Sequence, residues 1–160
     1  MRGLSSSTTL GLTTPSTPWG VAIATLLTDA VTKRVAQDVW SLSRTSWGPF
    51  RFELVENRGV SFSWLSGAPP VLLGTLAVVV VAVVVVLGFF VASGAPSLGW
   101  GLLVGGAVGN IADRVGLSTH HVVDFIGYGN LFVGNVADIA IALGVSVLGV
   151  RALRRQAVWR

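Results

Sequence analysis

Long apolar segments alternate with shorter polar ones along this chain of 160 residues. The apolar segments lie at about residues 19–36, 71–92, 98–112 and 136–153. A helix needs about 20 apolar residues to cross the hydrocarbon core of a bilayer, and the segment at 71–92 reaches this length without any charged residue. A lone strand cannot satisfy its backbone in lipid, so helix is favoured even where valine dominates. The pattern predicts an all-α membrane protein, a bundle of four transmembrane helices.

The stretch from Gln37 to Ala68 is too polar to cross a membrane, and we expect it to form the first extracytoplasmic region. Within it, Phe50 to Leu54 alternates apolar and charged residues, which is typical of a half-buried strand. The side chains of Trp40, Trp47 and Trp64 suit the level of the lipid headgroups. We therefore expect a small β element on the outer leaflet, after the first helix.

The composition agrees with a membrane location, since the chain is 52% hydrophobic and only 11% charged. Soluble domains carry about 25% charged residues. The net charge is +4, but the basic residues form no stripe with interleaved aromatic residues, so we expect no nucleic-acid partner. The chain has no cysteine, which excludes disulfides, thiol nucleophiles and cysteine-ligated metals.

The distribution of polar residues divides the chain into three parts. Residues 1–17 are rich in serine and threonine and lack the features of a secretory signal, so we expect a flexible cytoplasmic tail. Residues 18–154 form the membrane domain, with the outer β region at about 37–68. Residues 155–160 are a basic C-terminus that the positive-inside rule assigns to the cytoplasm. Four spans then place both termini in the cytoplasm, although Lys33 and Arg34 at the outer end of the first span run against this rule.

Charge is rare in the apolar part of the chain. Between residues 59 and 150 the formally charged residues are Asp113, Arg114, Asp124 and Asp138. An ionisable side chain at the centre of a membrane helix costs about 2.5–3.5 kcal/mol on insertion scales, so each is a candidate functional residue. Two converging carboxyl groups also form an acid/base pair, because one can hold a proton while the other gives it up.

Several of these residues also have a purely structural interpretation. Asp113 and Arg114 can form a helix-terminal ion pair, and Asn110 shares their helical face. Asn135 can cap the fourth helix, with Asp138 in the first turn where the helix dipole favours a negative charge. Both interpretations stay open beside the functional one.

Asp124 lies in the connection between the third and fourth helices, where we expect a loop. Its neighbours are apolar, which suggests partial burial and a raised pKa. The adjacent His120 and His121 lack the spacing of metal ligands, so no metal site is expected. Asp29 and Lys33 are four residues apart on the first helix and are expected to form an intrahelical ion pair with a structural role.

Taken in order, five motifs resemble the lipoprotein signal peptidase (signal peptidase II) family of bacterial inner-membrane aspartyl proteases. The motifs are Asp29-x-x-x-Lys33, Asn57-x-Gly59 with Phe62, Gly105-Gly106-Ala107-Val108-Gly109-Asn110-x-x-Asp113-Arg114, Val122-Val123-Asp124-Phe125, and Asn135-x-Ala137-Asp138. The chain departs from the family pattern at Gly134, where Phe is usual, and at Ile139, where Ser is common. The interval from Asp124 to Asp138 is also short.

The resemblance implies that Asp124 and Asp138 are the catalytic dyad. It implies substrate-binding roles for Asn57, Gly59, Asn110, Arg114 and Asn135, structural support by Asp29, Lys33 and Asp113, and neither metal nor cofactor. The implied substrate is a diacylglyceryl-modified prolipoprotein, cut just before the lipidated cysteine. We expect a monomer in contact with membrane lipid, with its active site near the outer leaflet of the bacterial inner membrane.

A carboxyl pair suits such a reaction, because the ionised member can deprotonate the attacking water while the protonated member donates to the developing oxyanion. Which aspartate holds the proton stays open at this point. The alternative function is a small proton-coupled transporter whose membrane acids act as relays. The chain shows no internal repeat of the kind found in many transporters. A non-catalytic assembly subunit is a second alternative.

Overall fold

A computed structural model describes residues 17–57, 98–115, 121–129 and 132–158, with side chains up to residue 154. These residues form three helices and four strands. The elements in chain order are α1 (Thr17–Trp40), β1 (Thr45–Trp47), β2 (Phe50–Asn57), α2 (Leu98–Val115), β3 (Val122–Tyr128), β4 (Phe132–Gly134) and α3 (Val136–Val158).

The three helices coincide with the first, third and fourth predicted spans. The second predicted span, residues 71–92, lies outside the described residues, so the four-helix bundle stays a prediction. Among the described residues, one helical stretch, Val136–Arg154, is long and apolar enough to cross a membrane by length and composition. What the described residues contain is a helical bundle joined to a small antiparallel sheet.

Helix α2 packs against both α1 and α3, and its glycines allow the close approach. A Cβ at Gly105 would lie 2.5 Å from the carbonyl oxygen of Ala22 in α1, and one at Gly106 would lie 2.5 Å from that of Ala137 in α3. Gly101 and Gly109 also face α1. The glycines of α2 thus bring three helix backbones together.

The buried apolar core is small and lies around the first turns of α2. Trp100, Leu103 and Leu148 are buried together, with Val104 and Ile141 packed against them. Large apolar residues of α1 and α3 are instead exposed, among them Ile23 (58%), Leu27 (59%), Val31 (61%), Leu143 (53%) and Leu153 (68%). An apolar outer surface of this kind suits a lipid environment, because lipid tails solvate it as well as a protein core would.

The sheet has the strand order β1-β2-β3-β4, and every neighbouring pair is antiparallel. The strand predicted at Phe50 to Leu54 is confirmed, and it continues to Asn57. The β element expected after the first helix is present as β1 and β2. The sequence did not predict that β3 and β4, from the connection between α2 and α3, extend it to four strands. The run Val122–Tyr128 is buried at most positions, so it lacks the alternation that marks a half-exposed strand.

Stacked rings join the helices to the sheet. Helix α1 continues to Trp40, beyond its predicted end at residue 36. The Trp40 ring stacks on Phe52 of β2, with ring centroids 5.3 Å apart, and on Phe125 of β3 at 6.0 Å. Aromatic pairs at these separations attract each other beyond the effect of burial, so the sheet is held at the end of α1 that carries Lys33.

The glycine contacts predict how two similar substitutions differ. Gly105→Ala should lower the thermal unfolding midpoint in detergent, because the new methyl group would displace the α1 backbone, and overpacking costs about 1–3 kcal/mol. Gly149→Ala on α3 is the matched control, since nothing lies within 4 Å of a Cβ there. Equal midpoints for the two variants, measured by circular dichroism, would contradict the close approach of α1 and α2.

Candidate active site

A buried lysine lies where α1 meets α2. The side chain of Lys33 is 5% exposed, and its Nζ lies 2.6 Å from Asp29 Oδ2 and 2.7 Å from Asp113 Oδ2. Nζ also donates to Asn110 Oδ1 at 3.2 Å. Three oxygens thus surround an ammonium group that has three N–H donors. The predicted ion pair of Asp29 and Lys33 is confirmed, and Asp113 joins it through a contact between helices.

Both carboxylates of this cluster also accept a backbone hydrogen bond. Asp29 Oδ1 accepts the N–H of Ala137 at 2.9 Å, in the first turn of α3. Asp113 Oδ2 accepts the N–H of Val123 at 3.2 Å, in β3. The cluster therefore contacts the backbone of both segments that carry the predicted dyad.

Asp138 takes part in a capping box at the start of α3. Asn135 Oδ1 accepts the N–H of Asp138 at 3.0 Å, and Asp138 Oδ2 accepts the N–H of Asn135 at 3.2 Å. This reciprocal pair satisfies donors that a helix start otherwise leaves free. The predicted cap is confirmed. The other carboxylate oxygen, Oδ1, accepts Asn110 Nδ2 at 2.8 Å, so Asp138 belongs to the polar cluster as well as to the cap.

Asp124 lies on strand β3, not in the loop that the sequence suggested. Its side chain is 2% exposed. A residue of the neighbouring strand β2, Asn57, donates a hydrogen bond to this buried carboxyl group. Asn57 lies opposite Val122 in the register. Since Val122 and Asp124 point to the same face of β3, Asn57 Nδ2 reaches Asp124 Oδ2 at 2.9 Å.

Burial raises the pKa of Asp124 to about 6, from an ordinary value of 3.8. The hydrogen bond from Asn57 opposes this rise, and the negative charge of Asp138 adds to it. Desolvation is the largest cause because it disfavours the charged form of any carboxyl group. The partial burial and raised pKa that its apolar neighbours indicated are confirmed.

The side chain of Asn135 connects the two aspartates. It is 1% exposed, and its Nδ2 donates to Asp124 Oδ1 at 2.7 Å and to Asn110 Oδ1 at 3.1 Å. Its Oδ1 is the acceptor of the Asp138 cap. Because Asn110 Oδ1 receives both Asn135 and Lys33, the Nδ2 of Asn110 must face Asp138. Both carboxyl groups therefore belong to one continuous hydrogen-bond network.

Two predicted substrate-binding residues remain, Arg114 and Gly59. Arg114 is half-buried and donates from Nη1 to the backbone oxygen of Asn110 at 3.3 Å. Its guanidinium lies within electrostatic range of Asp124, Asp138 and Asp113. Gly59 lies outside the described residues.

The structure also accounts for the departures from the family pattern. A Cβ at position 134 would lie 2.8 Å from Asp138 Oδ2, so Gly134 leaves room for that carboxylate in its capping conformation. Ile139 is 47% exposed, and its apolar side chain takes no part in the polar cluster. The short interval from Asp124 to Asp138 is spanned by β4 pairing with β3.

Sequence reasoning missed two features of the site. The backbone N–H groups of Val123 and Ala137 were not recognised as partners of the acidic side chains, because a backbone donor leaves no trace in residue type. The stacking of Trp40 on Phe125, next to Asp124, was also missed. The aromatic residues themselves are the signal in the sequence, although the side chain of Trp40 is equally suited to the level of the lipid headgroups.

Comparisons with known proteins point to the same family as the motifs. A family model described as "Signal peptidase (SPase) II" matches residues 21–154. The lipoprotein signal peptidase of Rhodococcus jostii (strain RHA1) is 39% identical over 140 residues, which cover 83% of this chain and 70% of that protein. That of Synechocystis sp. (strain ATCC 27184 / PCC 6803 / Kazusa) is 32% identical over 136 residues, with coverages of 81% and 83%.

A similar solved structure is described as that of a bacterial membrane enzyme. It is 26% identical in sequence and has a TM-score of 0.70, and the match covers 89% of this chain and 90% of the other. A TM-score this high over most of both chains indicates a shared arrangement of helices and sheet.

The environment of Asp124 predicts its titration. In difference infrared spectra against Asp124→Asn, the protonated carboxyl band should disappear with a midpoint near pH 6. Asn57→Ala should move the midpoint to higher pH, because the hydrogen bond that stabilises the carboxylate is lost. A midpoint near 4, or a downward shift in Asn57→Ala, would contradict this account of the site.

Proposed function

Because the chain belongs to the signal peptidase II family, we propose that Asp124 and Asp138 are the dyad with which it removes signal peptides from prolipoproteins. The family is one of signal peptidases, and a similar solved structure is that of a bacterial membrane enzyme, which argues against the transporter alternative. The observation that supports the dyad most directly is the side chain of Asn135. It donates to Asp124 and accepts the N–H of Asp138, so both carboxyl groups are held in one network.

The two carboxyl groups differ in a way that divides the chemistry between them. Asp124 is buried and its pKa is raised to about 6, so it is the member that holds the shared proton. Asp138 is exposed at the N-terminus of α3 and accepts N–H donors on both oxygens. A helix N-terminus favours negative charge, so Asp138 is the ionised member. The reaction uses the form of the pair that holds one proton, with that proton on Asp124.

Peptide hydrolysis then follows from this division. The Asp138 carboxylate takes a proton from a water molecule as its oxygen attacks the scissile carbonyl carbon, and the Asp124 carboxyl group donates its proton to the carbonyl oxygen. When the tetrahedral intermediate collapses, the C–N bond breaks and the proton on Asp138 passes to the leaving nitrogen. The re-forming carbonyl returns a proton to Asp124, which restores the starting state.

The polar residues around the dyad suggest separate roles. Arg114 and Asn110 are half-buried, and we assign them to the substrate backbone, together with Asn57. The amide of Asn135 is buried and engaged with the dyad, which favours an action through the two aspartates. Gly59 stays a predicted contact to the substrate.

The position of the site suggests the topology. The dyad lies at the start of α3, a helix of 23 residues, whose length of about 35 Å at 1.5 Å per residue is comparable with the hydrocarbon thickness of about 30 Å. Arg151, Arg154 and Arg155 lie near the C-terminal end of α3, and the positive-inside rule assigns that end to the cytoplasm. We therefore propose a site at the outer leaflet and cytoplasmic termini. The protein would act as a monomer, with the acyl chains of its substrate remaining in lipid.

The dyad is tested by two substitutions. Asp124→Asn and Asp138→Asn should each reduce cleavage of a diacylglyceryl-prolipoprotein by about a hundred- to ten-thousandfold, the contribution of a positioned acid or base. The assay follows the mass of the released products with purified protein in detergent. Asp38→Asn, which alters an exposed carboxyl group on α1, is the matched control and should keep wild-type activity.

Full activity in either dyad variant would contradict the assignment of the dyad.

The same assay with a prolipoprotein that lacks the diacylglyceryl group tests the recognition of the lipid and the cleavage position. We expect cleavage only of the lipidated form, at the bond preceding the modified cysteine. Equal cleavage of both forms would show that the lipid is not recognised.

A further inference from the structure

We propose that the ion cluster of Lys33, Asp29 and Asp113 is a positioning device that sets the separation of the two catalytic carboxyl groups. The inference rests on the proposed function, since it gives the cluster this role only if Asp124 and Asp138 form the dyad. It goes beyond structural support, because it names what each contact of the cluster holds in place.

Three chains of contacts, here called arms, start at Lys33. The first arm runs through Asp29 to the backbone beside Asp138. Asp29 contacts Lys33 through Oδ2 and accepts the N–H of Ala137 through Oδ1. Ala137 immediately precedes Asp138 and is fully buried, and Asp29 is 1% exposed. Water therefore cannot replace this hydrogen bond at low cost. A Cβ at Gly109 would lie 2.6 Å from Asp29 Oδ2, so the glycine face of α2 leaves the space that this arm needs.

The second arm leads to Asp124. Asp113 Oδ2 lies 2.7 Å from Lys33 Nζ and accepts the N–H of Val123 at 3.2 Å. Val123 immediately precedes Asp124 and is 7% exposed. The arm fixes strand β3 relative to α1 at the residue next to the catalytic side chain. The two carboxylates of the cluster thus hold the backbone beside the two carboxyl groups of the dyad.

The third arm acts on a side chain. Lys33 donates to Asn110 Oδ1 at 3.2 Å, which directs the Nδ2 of Asn110 to Asp138 Oδ1 at 2.8 Å. Without the ammonium group, the amide would lose one of the two donors that set its orientation. Lys33 therefore influences Asp138 through the backbone of Ala137 and through the side chain of Asn110.

The charge of Lys33 is what keeps the arms together. Asp29 and Asp113 contact the same ammonium group, so its removal would leave two like charges close together, one of them on a fully buried side chain. Breaking a buried ion pair by removing one partner is strongly unfavourable for this reason. We expect the two carboxylates to separate, which would move Val123 and Ala137, and with them the dyad.

The helix bundle and the sheet are also held by contacts that do not involve the ion cluster. Glycines of α2 hold the three helices together, and the Trp40 stack and the strand ladder hold the sheet. A loosened cluster should therefore change the geometry of the dyad more than it changes the overall fold. This separation makes the positioning role measurable.

The test uses the full-length protein and the lipidated substrate. Lys33→Met should lower kcat about a hundredfold, the effect expected of a misplacement by about 1 Å, while KM stays within about twofold. Asp113→Asn keeps an acceptor for Val123 and the lysine, and should lower kcat by about tenfold. Arg34→Met, which removes the adjacent exposed cation, is the matched control and should leave kcat unchanged.

Two further measurements separate positioning from a general effect on folding. In the inactive Asp124→Asn background, Lys33→Met should lower the affinity for the lipidated substrate by about twofold at most, through Asn110, and therefore far less than it lowers kcat. Lys33→Met combined with Asp113→Asn should lower kcat no further than Lys33→Met alone, because both act through one cluster. If Lys33→Met does not fold, Asp113→Asn alone in the same kinetic and binding assays decides the question.

Three results would overturn the inference: wild-type kcat in Lys33→Met or Asp113→Asn, a loss of substrate affinity in the inactive background as large as the loss of kcat, or losses that multiply in the double variant. Failure of the proposed function would look different. In that case the wild-type protein would not cleave the lipidated substrate, or Asp124→Asn and Asp138→Asn would cleave it normally.

Discussion

The burial of one ammonium group constrains the described part of the molecule more than any other interaction. Lys33 cannot be exposed to water where α1 meets α2, so oxygens must surround it, and they come from both helices. Each carboxylate that neutralises it has a second oxygen or lone pair, which accepts a backbone N–H from α3 or β3. The contacts that neutralise the Lys33 ammonium group thereby fix the relative positions of α1, α2, α3 and β3.

The helix packing makes this arrangement possible. Because the α2 glycines carry no side chain, the backbones of α1 and α3 approach α2 closely, and Asp29 comes within hydrogen-bond distance of Ala137. The sheet then covers the polar end of the bundle, with Trp40 stacked on both central strands. The hydrophobic effect does not drive helices together in lipid. Close packing at small residues and polar contacts between helices stabilise the bundle instead.

At Asp138 the structural and functional interpretations of the sequence are both satisfied. The carboxylate completes a capping box with Asn135 and also receives Asn110 from α2. The cap stabilises the helix start, and it also leaves the Asp138 side chain exposed beside the buried Asp124. The asymmetry that divides the proposed chemistry between the two aspartates thus comes from their secondary structure, one on a helix end and one inside a sheet.

Features that depend on neighbours along the chain could be predicted from local patterns. The periodicity predicted the three described helices and the strand at Phe50, and spacing predicted the pair Asp29–Lys33 and the cap at Asn135. Three features became visible only in the folded chain: Asp124 lies on a strand, Asp113 pairs with Lys33, and Asn135 connects the two aspartates. These features depend on contacts between residues far apart in sequence. The backbone of β3 becomes a strand because β2 accepts and donates its hydrogen bonds, and no local pattern carries that information.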